Sequence, residues 1–120
     1  MARLSIRIDL STASSVGPGK IRLLELIDKT GSISAAGRAM DMSYRRAWLL
    51  LEELNRLFRE RVATTKLGGA AGGGAALTPF GRALVRSYRA MEAEAHAAVA
   101  KRLDALDAKT ARRPRAMAGR

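Results

Sequence analysis

The 120-residue chain contains no cysteine and a single histidine, His96. The first absence removes disulfides, thiolate metal sites and thiol nucleophiles together. The second leaves no way to build a His-rich metal cage or a relay needing two imidazole bases. No apolar run approaches the roughly 18 residues that span a bilayer, and the Met1-Ala2-Arg3 start has no signal-peptide core. Glu52-Glu53 and Glu92/Glu94 read as helix-surface charges, with no nucleophile, base or metal ligand beside them. The expectation is a cytoplasmic protein that is not an enzyme, makes no membrane contact and holds no metal or cofactor. What remains is 48% apolar and 28% charged, enough for one compact domain. We place that domain at residues 1–108 and a basic, disordered tail at residues 109–120.

Charge is the first positive signal. The net charge is +11 and the isoelectric point about 11.4, which favours polyanionic partners, nucleic acid before a membrane surface. The excess is uneven. Residues 101–120 hold seven bases and two acids, whereas residues 21–60 hold seven against six. Nearly half of the net charge therefore belongs to the tail, and the total alone says little about specific DNA binding.

Along the chain, Leu4, Ile6, Ile8 and Leu10 alternate with Arg3, Ser5, Arg7 and Asp9, the period of a half-buried strand. Residues 11–19 have loop chemistry, and a first helix is expected over Lys20 to Lys29, with Gly31 just past its end. Its apolar residues Ile21, Leu23, Leu24, Leu26 and Ile27 extend beyond one stripe, which suggests a second buried face against another subunit. Ser32 caps a short helix from Ile33 to about Met40. Asp41-Met42 makes a tight turn, and Ser43 caps a longer helix to about Glu60. In that helix Ala47, Leu50, Leu51, Leu54, Leu57 and Phe58 recur at core-facing spacings. A β-prone run at residues 61–65, a glycine-rich loop and a return at Leu77 predict a hairpin, although its alanine-rich return arm has poor strand propensity. Thr78-Pro79 opens a last helix to about Leu106, whose second half needs a partner, most simply the same helix of a second copy. Tyr88, Met91, Ala95, Val99 and Leu103, with Ile21 and Leu24 of the first helix, are the expected dimer interface.

This order predicts a mainly α fold with a small β wing: a winged helix-turn-helix with a long C-terminal dimerisation helix. Such a fold presents the N-terminus of its third helix to a major groove. The free amides there favour phosphate oxygens, and arginine can grip guanine O6 and N7 with two hydrogen bonds. Ser43, Tyr44, Arg45 and Arg46 are the candidate contacts at that tip. Lys66, Gly68 and Gly69 are the candidate backbone contacts of the wing, since the glycine cluster lacks a Walker ending and suits a flexible wing tip better than a nucleotide loop. Trp48, one turn on from Tyr44, is read as packed between helices rather than against a base. His96 is read as solvent-facing.

Gly31-Ser32-Ile33-Ser34-Ala35-Ala36, Met42-Ser43-Tyr44-Arg45-Arg46-Ala47-Trp48, the paired glycines of residues 68–74 and Leu77-Thr78-Pro79-Phe80-Gly81 follow one another in order. Over about residues 17–90 this resembles the N-terminal domain of the molybdate-responsive ModE transcriptional regulators. The Ser-Tyr-x-x-Ala-Trp stretch and glycine clusters are specific to that family, whereas Leu-Thr-x-x-Gly also occurs in LysR-type regulators. The resemblance implies a winged-helix homodimer that binds a palindromic operator in double-stranded DNA and acts mainly as a repressor. The family's C-terminal oxyanion-binding domains have no counterpart in these 120 residues, so no molybdate-binding residue is carried over. A separate effector-sensing partner, another effector, or none, are the open alternatives. The rival reading is a protein that stores or buffers molybdate or tungstate without reading DNA.

Overall fold

The computed structural model describes residues 2–10, 14–66 and 74–111. Among these the order is β1 (Ile8–Asp9), β2 (Ser15–Val16), α1 (Pro18–Thr30), α2 (Ile33–Ala39), α3 (Tyr44–Leu57), β3 (Ala63–Lys66), β4 (Gly74–Leu77) and α4 (Pro79–Asp107). The protein is mainly helical with two small antiparallel sheets, β1–β2 and β3–β4, an architecture compatible with a winged helix. Of the expected tail at residues 109–120, residues 112–120 lie outside the described residues, and Lys109 and Thr110 form a turn against Leu106 and Asp107 at the end of α4.

The helix boundaries follow from local chemistry. Pro18 opens α1, where its missing N–H has no helical partner to lose. Gly31 closes α1 at φ 71° and donates its N–H to the Ile27 carbonyl at 2.7 Å. The Ser32 hydroxyl accepts from Ala35 N–H, that of Ser43 from Arg46 N–H, and that of Thr78 from Gly81 N–H. α3 stops at Leu57, three residues short of expectation, because Phe58 turns extended and packs edge-on against Phe80, with ring centroids 5.2 Å apart.

Two expectations need correction. Residues 2–10 do alternate between half-buried and exposed positions, but only Ile8 and Asp9 find a ladder partner, at Val16 and Ser15. The remainder joins no ladder and is held by Tyr88, whose hydroxyl donates to the Ile6 carbonyl at 2.6 Å. The apolar excess of α1 needs no second subunit. α2, α3, α4 and β4 all pack on this one helix, and Ile21, Leu23, Leu24 and Ile27 retain no accessible surface. Ile21, Leu24 and Tyr88 are therefore core residues of one protomer, and a partner has nothing of theirs left to cover.

The β3–β4 hairpin is tied to the helices from both sides. Ala75 N–H donates to the Gly31 carbonyl, and Ala75 and Leu77 are buried, which overrides the weak strand propensity of the alanine-rich arm. On the other arm, Asn55 is the buried polar residue among those described. Its Oδ1 accepts from Val62 N–H at 2.7 Å and Ala63 N–H at 3.3 Å, which joins the end of α3 to the start of β3. Asn55→Ala strands both donors and should cost about 2–3 kcal/mol in urea unfolding. A change within the noise would show that water replaces the amide there.

α4, at about 1.5 Å per residue, is roughly 44 Å long in a molecule of 54 × 34 × 26 Å. Its buried residues, Gly81 and Tyr88, both lie in its first ten positions. Further along, Met91 is exposed, Ala95, Val99 and Leu103 are half-buried, and Leu106 is 67% exposed. His96 is exposed, as expected.

Candidate nucleic-acid interface

The turn between α2 and α3 is built on close backbone approach. A Cβ on Gly37 would stand 3.2 Å from the Ala47 Cβ and 3.3 Å from the Met42 carbonyl oxygen, so the helices cross here with little room for a side chain. Met42 N–H and Met40 N–H both donate to the Gly37 carbonyl, at 2.9 and 3.0 Å. Asp41 absorbs the reversal at φ 57°, a left-handed conformation that short polar residues tolerate. The turn thus fixes where α3 begins and which residues stand at its tip.

Ser43, Tyr44, Arg45 and Arg46 are all exposed at that tip, Tyr44 by 54%. The Ser43 oxygen is engaged as the helix cap, so this residue offers an approaching phosphate its O–H rather than a lone pair. The first turn of α3 holds no acidic residue. Among the described residues, Arg38, Arg45 and Arg46 have no ion-pair partner, while the carboxylates of α3 are drawn elsewhere. Glu53 pairs with Lys20 at 2.7 Å and Glu52 with Arg61 at 3.6 Å. The helix tip therefore combines unopposed guanidinium groups with free amide dipoles, a field suited to phosphate. Lys66 is exposed at the end of β3; Gly68 and Gly69 lie outside the described residues.

Trp48 departs from expectation. It is 37% exposed and belongs to no core cluster, and Leu49 beside it is 44% exposed. The side of α3 toward the protein is filled by Ala47, Leu51, Leu54 and Asn55, which leaves the indole on the outer face.

The chain is 40% identical over 99 residues to the molybdenum transport protein ModE of Azotobacter vinelandii, covering 82% of this chain and 36% of that protein. It is 45% identical over 82 residues to the molybdenum-pterin-binding protein MopB of Rhodobacter capsulatus, covering 68% and 30%. It is 33% identical over 87 residues to the DNA-binding transcriptional dual regulator ModE of Escherichia coli K12, covering 72% and 33%. Over this span the chain belongs to the ModE family. It spans about a third of the length of these curated relatives. No family model matches it.

An open cleft of about 570 Å³ is lined by Arg3, Arg22, Arg89, Glu92 and His96, among others. Its central charge is already matched. Arg89 grips Glu25 with two hydrogen bonds of 2.9 and 2.8 Å, reaches Glu92 at 2.6 Å and lies 5.6 Å from the Tyr88 ring centroid. Hydrogen bonding from Arg89 outweighs desolvation and holds the Glu25 carboxyl below its ordinary value of 4.5. A depressed carboxyl contributes stability above its unfolded pKa and loses it as pH falls through the folded one. Stability should therefore decline with acid below about pH 4.5, and Glu25→Gln should flatten that decline while costing about 1 kcal/mol or less at pH 7. An acid limb of unchanged steepness in the variant would assign the decline to other groups. Among the described residues no helix is long and apolar enough to cross a membrane.

Neither Asn55 nor the Glu25–Arg89–Glu92 network was found by sequence reasoning. Asn55 carried a signal, since it sits four residues after Leu51 on the buried side of α3, where a polar residue needs a partner. The Glu25–Arg89 pairing carried none, because the two residues lie 64 positions apart.

Proposed function

We propose that the chain is a sequence-specific DNA-binding transcriptional regulator, most simply a repressor, with a winged helix-turn-helix made of α2, α3 and the β3–β4 hairpin. The observation that carries this reading is the tip of α3, where exposed Arg45 and Arg46, beside exposed Tyr44, have no carboxylate partner among the described residues. Arg45 and Arg46 read base edges, while Ser43, Tyr44 and Lys66 hold the phosphate backbone. Two copies joined through Met91, Ala95, Val99 and Leu103 of α4 set their reading helices one duplex turn apart, about 34 Å. The relatives named as regulators support the DNA partner. Selection of sites from random duplexes by the full chain should return an inverted repeat with that spacing. A pool without sequence preference, combined with a shallow salt dependence, would overturn the proposal.

The names of the Mop relatives favour a second reading, a protein that binds molybdate or tungstate without reading DNA. Equilibrium dialysis separates the two: stoichiometric molybdate binding together with no selected duplex would favour it. On the regulator reading, the effector is sensed by a separate partner, is something other than molybdate, or is absent.

A further inference from the structure

From the exposed face of α3 we infer that Leu49 and Trp48 read the 5-methyl groups of thymine on the floor of the major groove, an apolar contribution to specificity alongside the arginines. The inference rests on the DNA-binding reading above and extends it. Leu49 is 44% exposed, Trp48 37% and Tyr44 54%, so three large apolar or aromatic side chains share the first two turns of one helix. Neither Trp48 nor Leu49 belongs to the core, which α3 meets through Ala47, Leu51 and Leu54. Arg45, Leu49 and Arg56 are spaced by four and seven residues and so share the outer face of α3 with Glu52 and Glu53, whose carboxylates are drawn aside to Arg61 and Lys20, while Trp48 stands about a quarter-turn round the helix from Leu49. Arg45, Leu49 and Arg56 are exposed, and neither arginine has an ion-pair partner among the described residues.

That arrangement suits one occupant. Exposed apolar side chains interspersed with guanidinium groups that make no ion pair among the described residues complement a surface that is apolar in the middle and anionic at its edges. The major groove offers this where thymine methyl groups line its floor and phosphates line its walls. A protein partner would need both an apolar ridge and a carboxylate on each side of it. The arginines and the apolar residues then divide the labour. Guanidinium groups discriminate guanine through paired hydrogen bonds, and Leu49 and Trp48 discriminate thymine by burying a methyl that cytosine lacks.

The test uses the site selected by the full chain and replaces each thymine in turn by deoxyuridine, which removes the methyl and nothing else. The expected result is a loss of about three- to tenfold in affinity at one or more thymines per half-site. Leu49→Ala or Trp48→Ala should lower affinity for the thymine duplex and abolish the penalty at its own position. Both side chains are exposed, so unchanged thermal melting checks that the variants fold. A selected site that tolerates uracil everywhere overturns this inference alone. So does a uracil penalty that persists unchanged in both variants, an outcome that assigns the methyl contact to other residues. If no duplex is selected at all, the DNA-binding reading falls and this inference falls with it.

Discussion

Replacing Gly81 by alanine should destabilise the protein by about 3–5 kcal/mol, although alanine is the better helix former by about 1 kcal/mol. The reason is the place where α4 crosses the chain entering β3. A Cβ on Gly81 would collide with the Val62 carbonyl oxygen, and it would stand only 2.9 Å from the Val62 carbonyl carbon and 3.3 Å from its Cα. All three are backbone atoms, so no flexible side chain can move aside. The two segments cannot separate cheaply either. Val62 accepts from Thr78 N–H at 3.0 Å, and the Thr78 hydroxyl donates to the Arg61 carbonyl at 2.7 Å while accepting from Gly81 N–H at 2.9 Å. Relief of the clash would break those bonds and pull β3 away from Asn55. Urea unfolding measures the effect. A neutral or stabilised variant would mean that α4 shifts freely at its start and that the junction is not rigid. The same geometry supplies a physical reason for the Leu77-Thr78-Pro79-Phe80-Gly81 element: threonine both caps α4 and bridges to the hairpin, proline starts the helix, and glycine lets the backbones meet.

The second large effect concerns function. Arg46→Ala should weaken binding to the selected duplex by about 1–3 kcal/mol and binding to random duplex much less. Arg46 occupies the third position of α3, and its backbone N–H is held by Ser43 at 3.1 Å, so the base of its side chain is fixed. It is exposed and makes no ion pair among the described residues, so its removal should leave thermal stability within about 0.5 kcal/mol. Competition binding against random duplex separates base reading from general attraction. A phosphate contact would weaken both duplexes alike and lower the salt slope by about one unit. Equal losses on the two duplexes would therefore refute the role in base reading while leaving an affinity role intact.

The sequence-level expectations hold best where the deciding atoms are close together along the chain. Ser32, Ser43 and Thr78 each cap a helix through an N–H three residues away, and Gly31 closes α1 against Ile27 four residues earlier. Such contacts depend on few residues, so composition and order suffice to place them. Expectations about which face is covered did less well. The indole of Trp48 and the ring of Tyr88 are similar in kind, yet one is exposed and the other buried. Helical spacing records that a residue is apolar without recording what lies opposite it. The excess apolar surface of α1 shows the same limit: its periodicity could not distinguish a second subunit from a ring of other elements of the same chain.

The sequence by itself determined four helices, the Ser32, Ser43 and Thr78 caps and a basic tip at the start of α3, because each of these is settled by neighbours within a turn or two, and it marked the hairpin after α3, whose weak return arm is held by the distant Gly31. Only the tertiary structure decided that Ile21, Leu24 and Tyr88 belong inside one protomer, that Asn55 fastens α3 to β3, and that Trp48 and Leu49 face outward. Those outcomes turn on pairings such as Tyr88 with Ile6, 82 residues apart, and Glu25 with Arg89, 64 apart. Burial is a property of what the folded chain brings alongside, and no local pattern carries that information.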